Sequence, residues 1–129
     1  MSPREFADNL QMKLNRFKET LPKELAERAK NYFVLAFDKQ GWNDTPWRPR
    51  KDKNTWPILV KSGALKRSVE NSIKTATWDE IRLTSDSDYG VYHNEGTDRL
   101  PQRQFMGESP ELDALLNEVV VKTIKDIFE

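Results

Sequence analysis

Apolar residues recur at helical spacing through the first forty positions of the chain. Ser2, Pro3 and Glu5 predict a helix start, because serine can cap the first turn, proline has the φ of a first helical residue and glutamate completes a capping box. The apolar stripe that follows consists of Phe6, Leu10, Leu14, Phe17 and Leu21. The period resumes after Pro22 and ends at Gly41. Since proline removes a backbone donor and disfavours helical geometry before it, we predict two helices with a break or kink between them, packed through their apolar faces against a later sheet.

In the second half of the chain, apolar and polar residues alternate with a period of two instead of recurring at helical spacing. Residues 62–68 are typical of a turn that leads into a short helical turn. Residues 69–77 then alternate as a strand, residues 78–80 can turn the chain, and residues 81–83 alternate on the way back. This order predicts an antiparallel β-hairpin.

Two further helices and one further strand are predicted towards the C-terminus. Residues 89–95 favour a short helix, which Gly96 would stop. Residues 102–106 are interpreted as a returning strand. The last helix, residues 109–128, is predicted to begin at Ser109 as its cap and carries a continuous apolar stripe.

The segment between the helical and alternating regions has no regular period and is rich in tryptophan, proline and basic residues. A loop of this length in a compact domain tends to be functional, and we expect it to dock partly through its tryptophan rings. The 129 residues are predicted to form a single domain. Its parts are a helical segment 1–39, a Trp/Pro/basic loop 40–61, a sheet region 62–107 and the C-terminal helix 109–128. The predicted fold is α+β, with helices on one face of a small antiparallel sheet.

The charges balance overall but are distributed unevenly. The chain has 21 basic and 21 acidic residues, and this neutral total argues against a general polyanion binder. Residues 1–65 carry 13 basic and 8 acidic groups, a net charge of +5, whereas residues 66–129 carry 8 and 13, a net charge of −5. Two interpretations remain open: the charges are solvated faces, or one half pairs with the other half of a neighbouring copy.

Composition also bears on compartment and chemistry. The chain has no cysteine, and no apolar run approaches the roughly 20 residues that span a bilayer, so we expect a cytoplasmic protein without membrane contact. His93 is the single histidine, which is too few ligands for a zinc site, and it is interpreted as structural. Asp86 and Asp88 fail the calcium-loop pattern at its later positions. We therefore predict no catalytic, cofactor-binding or metal-binding residues.

A basic cluster follows Trp47 within the loop. Its members are Arg48, Arg50, Lys51 and Lys53. Basic side chains beside an aromatic ring suit phosphates and stacked bases, so a nucleic-acid-binding module is the alternative function. A solvated or protein-binding loop is the other interpretation.

Four motifs occur in a particular order along the chain. They are Gly41-Trp42 with Trp47-Arg48-Pro49, Leu59 through Val69 with its Ser-Gly-Ala-Leu core, Tyr89-Gly90-Val91-Tyr92-His93-Asn94-Glu95-Gly96, and Pro101-Gln102-Arg103-Gln104-Phe105-Met106-Gly107. In this order and spacing the chain resembles the phage virion morphogenesis, or tail completion, family. The resemblance implies a tail-terminator or neck-like α+β fold and a structural protein, not an enzyme. It also implies a place at the head–tail junction of the virion after assembly in the host bacterial cytoplasm. The implied partners are other phage head and tail proteins, and the implied assembly is a homo-oligomeric ring such as a hexamer.

The resemblance also assigns structural roles to motif residues. They are Trp47, Gly63, Leu65, Tyr89, Tyr92, His93, Gly96, Pro101, Arg103, Phe105 and Gly107. Gly63 and Gly96 would permit turns, and the two tyrosines would anchor a helix to the sheet. Pro101 would hold the chain extended.

In the strand expected after Pro101, Arg103 would point outward and Phe105 inward, and two arrangements remain open, since residues two apart in a strand share a face unless a bulge offsets them. The chain departs from the family pattern at Gly90, where alanine is commoner, and at Gln102 and Gln104, where neighbours are usually smaller or more apolar.

Overall fold

The computed structural model describes residues 1–49, 51, 57–60, 63–98 and 100–129. The helices are α1 (Pro3–Lys39), α2 (Ala64–Glu70), α3 (Gly90–Glu95) and α4 (Pro110–Phe128). The strands are β1 (Gly41–Trp42), β2 (Thr45–Pro46), β3 (Ile73–Ala76) and β4 (Ile81–Leu83). Within these residues β1 pairs with β2 and β3 with β4, both antiparallel, in two separate sheets. The mixed α+β class is confirmed, but the helices do not cover one common sheet.

Helix α1 is continuous, so the prediction of two N-terminal helices is wrong. Its start is as predicted: the Ser2 hydroxyl accepts from the Glu5 amide at 3.1 Å, and the Glu5 carboxylate accepts from the Ser2 amide at 3.2 Å. Pro22 lies inside the helix and is buried together with Leu21. A proline in a helix interior costs about 3 kcal/mol through its missing donor and its ring clash. Burial of the two apolar side chains offsets this local cost, and the helix runs on to Lys39.

Helix α4 packs antiparallel against the second half of α1. The Tyr32 hydroxyl lies 3.0 Å from the Ser109 hydroxyl at the start of α4. Further along, the Thr123 hydroxyl donates to the Glu24 carboxylate at 3.0 Å. Near the end of α4, Phe128 lies 6.0 Å from Phe17, ring centre to ring centre. The predicted α4, with Ser109 accepting from the Leu112 amide as its cap, is confirmed.

The first half of α1 extends beyond this pair, and its predicted packing is wrong. Residues 1–16 are all exposed, including the stripe side chains Phe6 (60%), Leu10 (41%) and Leu14 (37%). We refer to residues 3–16 as the N-terminal arm. The stripe becomes partly buried only at Phe17, which contacts Trp78 and Phe128.

One of the two hairpins was not predicted, and the other was predicted with a first strand that is too long. The loop predicted to lack regular structure begins with the β1–β2 hairpin, whose turn residues Asn43 and Asp44 have φ of 50° and 63°. Asparagine and aspartate tolerate this left-handed region better than most residues. The β3–β4 hairpin is confirmed, but its first strand begins at Ile73 instead of Val69. Val69 is completely buried on α2, one turn after Leu65, so helical burial takes precedence over the strand pattern there.

The core lies where the C-terminal part of α1 meets α2, α4 and the segments that carry Trp47 and Phe105. Its buried members are Ala29, Tyr32, Phe33, Ala36, Phe37, Trp47, Leu65, Val69, Phe105 and Leu112. Three of the sequence motifs therefore contribute a side chain to this one cluster.

Candidate interaction site

Three motif residues that are distant in sequence meet around Phe37. Trp47, Leu65 and Phe105 are exposed by only 6%, 2% and 2%. The Phe37 ring lies 5.7 Å from the Trp47 ring and 5.3 Å from the Phe105 ring. The Trp47 indole N–H donates to the Gln104 carbonyl at 2.8 Å, which satisfies the polar atom of a buried tryptophan. This contact joins the loop to the 101–107 motif, as the expected docking through tryptophan requires.

Glycines allow the backbone to approach closely at two places in this unit. A Cβ on Gly90 would lie 3.0 Å from Leu65 Cδ1 and 3.5 Å from Phe105 Cζ, so α3 begins directly on the core. The departure from alanine at this position therefore fits the tight packing of Leu65. Gly96 stops α3, as predicted, with φ of 79°, and a Cβ there would lie 3.0 Å from the Gln102 amide. Gly63 and Gly107 also have positive φ.

The predicted strand 102–106 is absent from the described residues, and Asn94 explains why. The Asn94 Oδ1 accepts from the Phe105 amide at 2.9 Å and from the Met106 amide at 3.1 Å. The His93 carbonyl accepts from the Arg103 amide at 2.8 Å. The backbone donors that a sheet would pair are thus satisfied by the end of α3. Sequence reasoning missed Asn94, because nothing in its neighbours distinguishes an acceptor from a solvated amide.

Arg103 and Phe105 have different roles in this extended segment. Phe105 points inward, as predicted, and Pro101, which precedes them, is half-buried. Arg103 is also half-buried, and its guanidinium donates to the Arg48 carbonyl at 2.9 and 3.2 Å and to the Pro49 carbonyl at 3.4 Å. The outward arginine therefore holds the backbone of the loop.

His93 lies between the core and the surface of α3. Its ring is half-buried and meets the Tyr89 ring edge-on at 6.1 Å. Burial, and secondly the positive charge of Arg103, lowers the pKa of His93. Among the described residues its Nδ1 is buried without a hydrogen-bond partner. Over the same residues no group of three His, Cys, Asp or Glu side chains is placed to hold a metal ion.

The two tyrosines do not anchor α3 to a sheet, and that prediction is wrong. Tyr89 and Tyr92 are 45% and 55% exposed, and Val91 between them is 49% exposed. Gly90 is the buried residue of this short helix, so the contact with the core is made by backbone while the aromatic rings face water. We refer to this surface as the α3 patch. It consists of Tyr89, Val91 and Tyr92, with the exposed acids Asp88, Glu95 and Asp98 beside them in sequence.

The basic cluster is only partly placed. Arg48 and Lys51 are exposed, whereas Arg50 and Lys53 lie outside the described residues. A separate cleft of about 130 Å³ lies between the end of α1, the β1–β2 hairpin and the start of α4. Its polar centre is the Tyr32 hydroxyl, which contacts Ser109 at 3.0 Å and donates to Asn43 at 3.4 Å. Sequence reasoning did not predict this cleft, because its walls come from three separate elements.

Comparisons with protein-family models, with curated proteins and with solved structures find no match to this chain. No helix in the described ranges has the length and apolar character to cross a membrane.

Proposed function

We propose that this chain is a structural morphogenesis protein of a tailed phage or prophage. In this proposal it completes or stabilises the head–tail junction through contacts with other head and tail proteins and with further copies of itself, arranged as a ring. The proposal rests on the four ordered motifs that resemble the tail completion family.

One structural observation carries the proposal further. The buried motif residues Trp47, Leu65 and Phe105 pack into a common scaffold, and that scaffold presents Tyr89 and Tyr92 to solvent. Exposed aromatic rings beside one another are typical of protein–protein interfaces, in which tyrosine supplies much of the binding energy. A motif that combines a buried support with an exposed aromatic surface fits an assembly role.

The test is complementation in the phage or prophage that encodes the chain. The gene is deleted, and wild-type protein or the variant Tyr89→Ser/Tyr92→Ser is supplied in trans. We expect the deletion to leave separate heads and tails in electron micrographs, wild type to restore infectious particles, and the double variant to give the titre of the deletion.

The matched control is Val121→Ser/Ile124→Ser, which changes two exposed apolar side chains on α4 (51% and 42%). This control should restore the titre, and circular dichroism should show both variants folded. Normal numbers of joined, infectious particles from the deletion strain would overturn the proposed function.

A further inference from the structure

The N-terminal arm has an apolar face that nothing in the described chain covers. At 100° per residue, positions 6, 10, 14, 17 and 21 fall within about 80° of one another around the helix. Leu21 is 6% exposed on this face, and Phe17 packs between Trp78 and Phe128. The same face continues into solvent at Leu14 and Leu10. A stripe that is buried in one half of a helix and exposed in the other half is typical of an interface.

Among the charged residues in the arm and just after it, two lysines lie nearest this face. Lys13 borders the stripe on one side and Lys18, just beyond the arm, borders it on the other, about 60° and 80° from its centre by helical geometry. The acids Glu5, Asp8 and Glu19 fall on the opposite face, which they share with Met12, and Arg4 and Arg16 lie about 120° from the centre of the stripe, towards that face. The arm therefore presents an apolar surface with a basic border, and this selects a partner with an acidic border.

The same chain carries such a surface in the α3 patch. Residues 86–98 contain four acids and no lysine or arginine, and Arg99 follows them directly. Asp86 is paired with Lys74 at 2.7 Å, which leaves Asp88, Glu95 and Asp98 exposed and close in sequence to Tyr89, Val91 and Tyr92. The patch thus offers the two features that complement the arm, exposed apolar side chains and negative charge.

Within one molecule the two surfaces lie at opposite ends. The α3 patch stands on Leu65 and Phe105, and Phe105 contacts Phe37 near the end of α1. The arm lies at the other end of the same uninterrupted helix. From Leu14 to Phe37 the helix rises by roughly 35 Å at 1.5 Å per residue, so the arm cannot fold back onto its own patch.

We propose that the arm of one copy binds the α3 patch of the next copy, with the apolar stripe on the tyrosines and the lysines against the acids. The contact is heterologous, because two different surfaces of the chain meet, and it therefore propagates head to tail into a ring or an open chain. The inference rests on the proposed self-assembly and names the surfaces that perform it.

The first experiment is sedimentation velocity of the purified full-length protein over a wide range of concentration. Wild type should associate, and Leu10→Ser/Leu14→Ser should remain monomeric at the same concentrations. Met12→Ser is the control: this side chain is more exposed (65%) than either leucine but lies on the opposite face, so association should persist. Wild type that stays monomeric throughout, or leucine variants that associate normally, would overturn the inference.

The second experiment identifies the partner surface by charge exchange. Lys13→Glu/Lys18→Glu and Asp88→Lys/Glu95→Lys should each weaken association by at least about tenfold, because each brings like charges together. The chain that carries all four substitutions should recover most of the wild-type association. Failure of the fourfold variant to recover would overturn the pairing of these two surfaces.

A membrane is the competing occupant of a basic-bordered apolar helix, and it is tested with vesicles that contain anionic lipid. Binding to these vesicles by a protein that does not self-associate would overturn the inference. These experiments measure association of the purified protein and not the number of infectious particles. Their failure would therefore not contradict the proposed role at the head–tail junction, which is tested separately.

Discussion

Phe105 joins three parts of the chain that are far apart in sequence. It is 2% exposed, contacts the Phe37 ring at 5.3 Å and lies beneath Gly90 at the start of α3. Its position in the Pro101–Gly107 motif is therefore explained by packing. Burial of the half-buried His93 ring, and secondly the neighbouring positive charge of Arg103, explains the lowered pKa of His93.

Truncation of Phe105 should show how much this contact contributes. We expect Phe105→Ala to lower the free energy of unfolding by about 3–5 kcal/mol, because the lost ring leaves a cavity in the core. Urea denaturation followed by circular dichroism measures the change. Phe6→Ala is the same substitution at a 60% exposed site and should stay within about 0.5 kcal/mol of wild type. Equal effects at both positions would contradict the placement of Phe105.

The pKa of His93 predicts a pH dependence of stability. A folded-state pKa below the ordinary value of 6.5 means that the unfolded chain takes up the proton first as pH falls. The contribution of neutral His93 to the free energy of unfolding is therefore fully present above pH 6.5. It is lost as the pH falls from 6.5 towards the folded-state pKa. Between about pH 7.5 and about pH 5.5, wild type should lose more stability in urea than His93→Gln does. An identical loss in both proteins would show that His93 does not titrate in this way.

At two places, contacts made by a short helix replace a strand that the alternation of apolar and polar residues predicts. Helix α3 presents the Asn94 carboxamide to the Phe105 and Met106 amides, so the 101–107 segment is held without a strand partner. Helix α2 takes Val69 into the core, and β3 starts four residues later than predicted. In both places a few tertiary contacts outweigh the local pattern.

Substitution of Asn94 tests this replacement. Asn94→Ala removes the acceptor for two amides, and we expect a loss of about 1–3 kcal/mol in the free energy of unfolding, measured in urea. Asn94→Asp keeps an oxygen in the same place and should retain most of the stability. Hydrogen exchange should become faster at residues 105 and 106 in the alanine variant only. A neutral Asn94→Ala would contradict the role of this side chain.

The whole molecule combines a packed body with a helix that extends out of it. The body forms where α4 lies along α1 from Phe17 to Tyr32, while residues 1–16 are exposed throughout. Stability is therefore uneven along a single helix, since packing and not propensity stabilises most helices in water.

This unevenness predicts the exchange behaviour of α1. In dilute protein, amides of residues 6–14 should exchange at least about tenfold faster than those of residues 26–37, because only the latter open with the core. Hydrogen exchange with mass spectrometry resolves the two segments. At concentrations where the protein associates, the first segment should become protected. Equal protection of both segments in the monomer would contradict an unpacked arm.

Local sequence patterns were enough to predict the features that depend on neighbouring residues. The Ser2 and Ser109 caps, the stop at Gly96 and the β3–β4 hairpin all follow from local backbone preferences, and all are confirmed. The α+β class follows from the same local patterns.

The features that depend on contacts between distant residues became visible only in the folded chain. The helix continues through Pro22 because burial there offsets the local cost. The exposure of Tyr89 and Tyr92, the two amides accepted by Asn94 and the uncovered stripe of the arm likewise depend on which surfaces meet. An apolar period shows that a face can be buried, but the folded chain decides whether its own residues cover it or leave it for a partner.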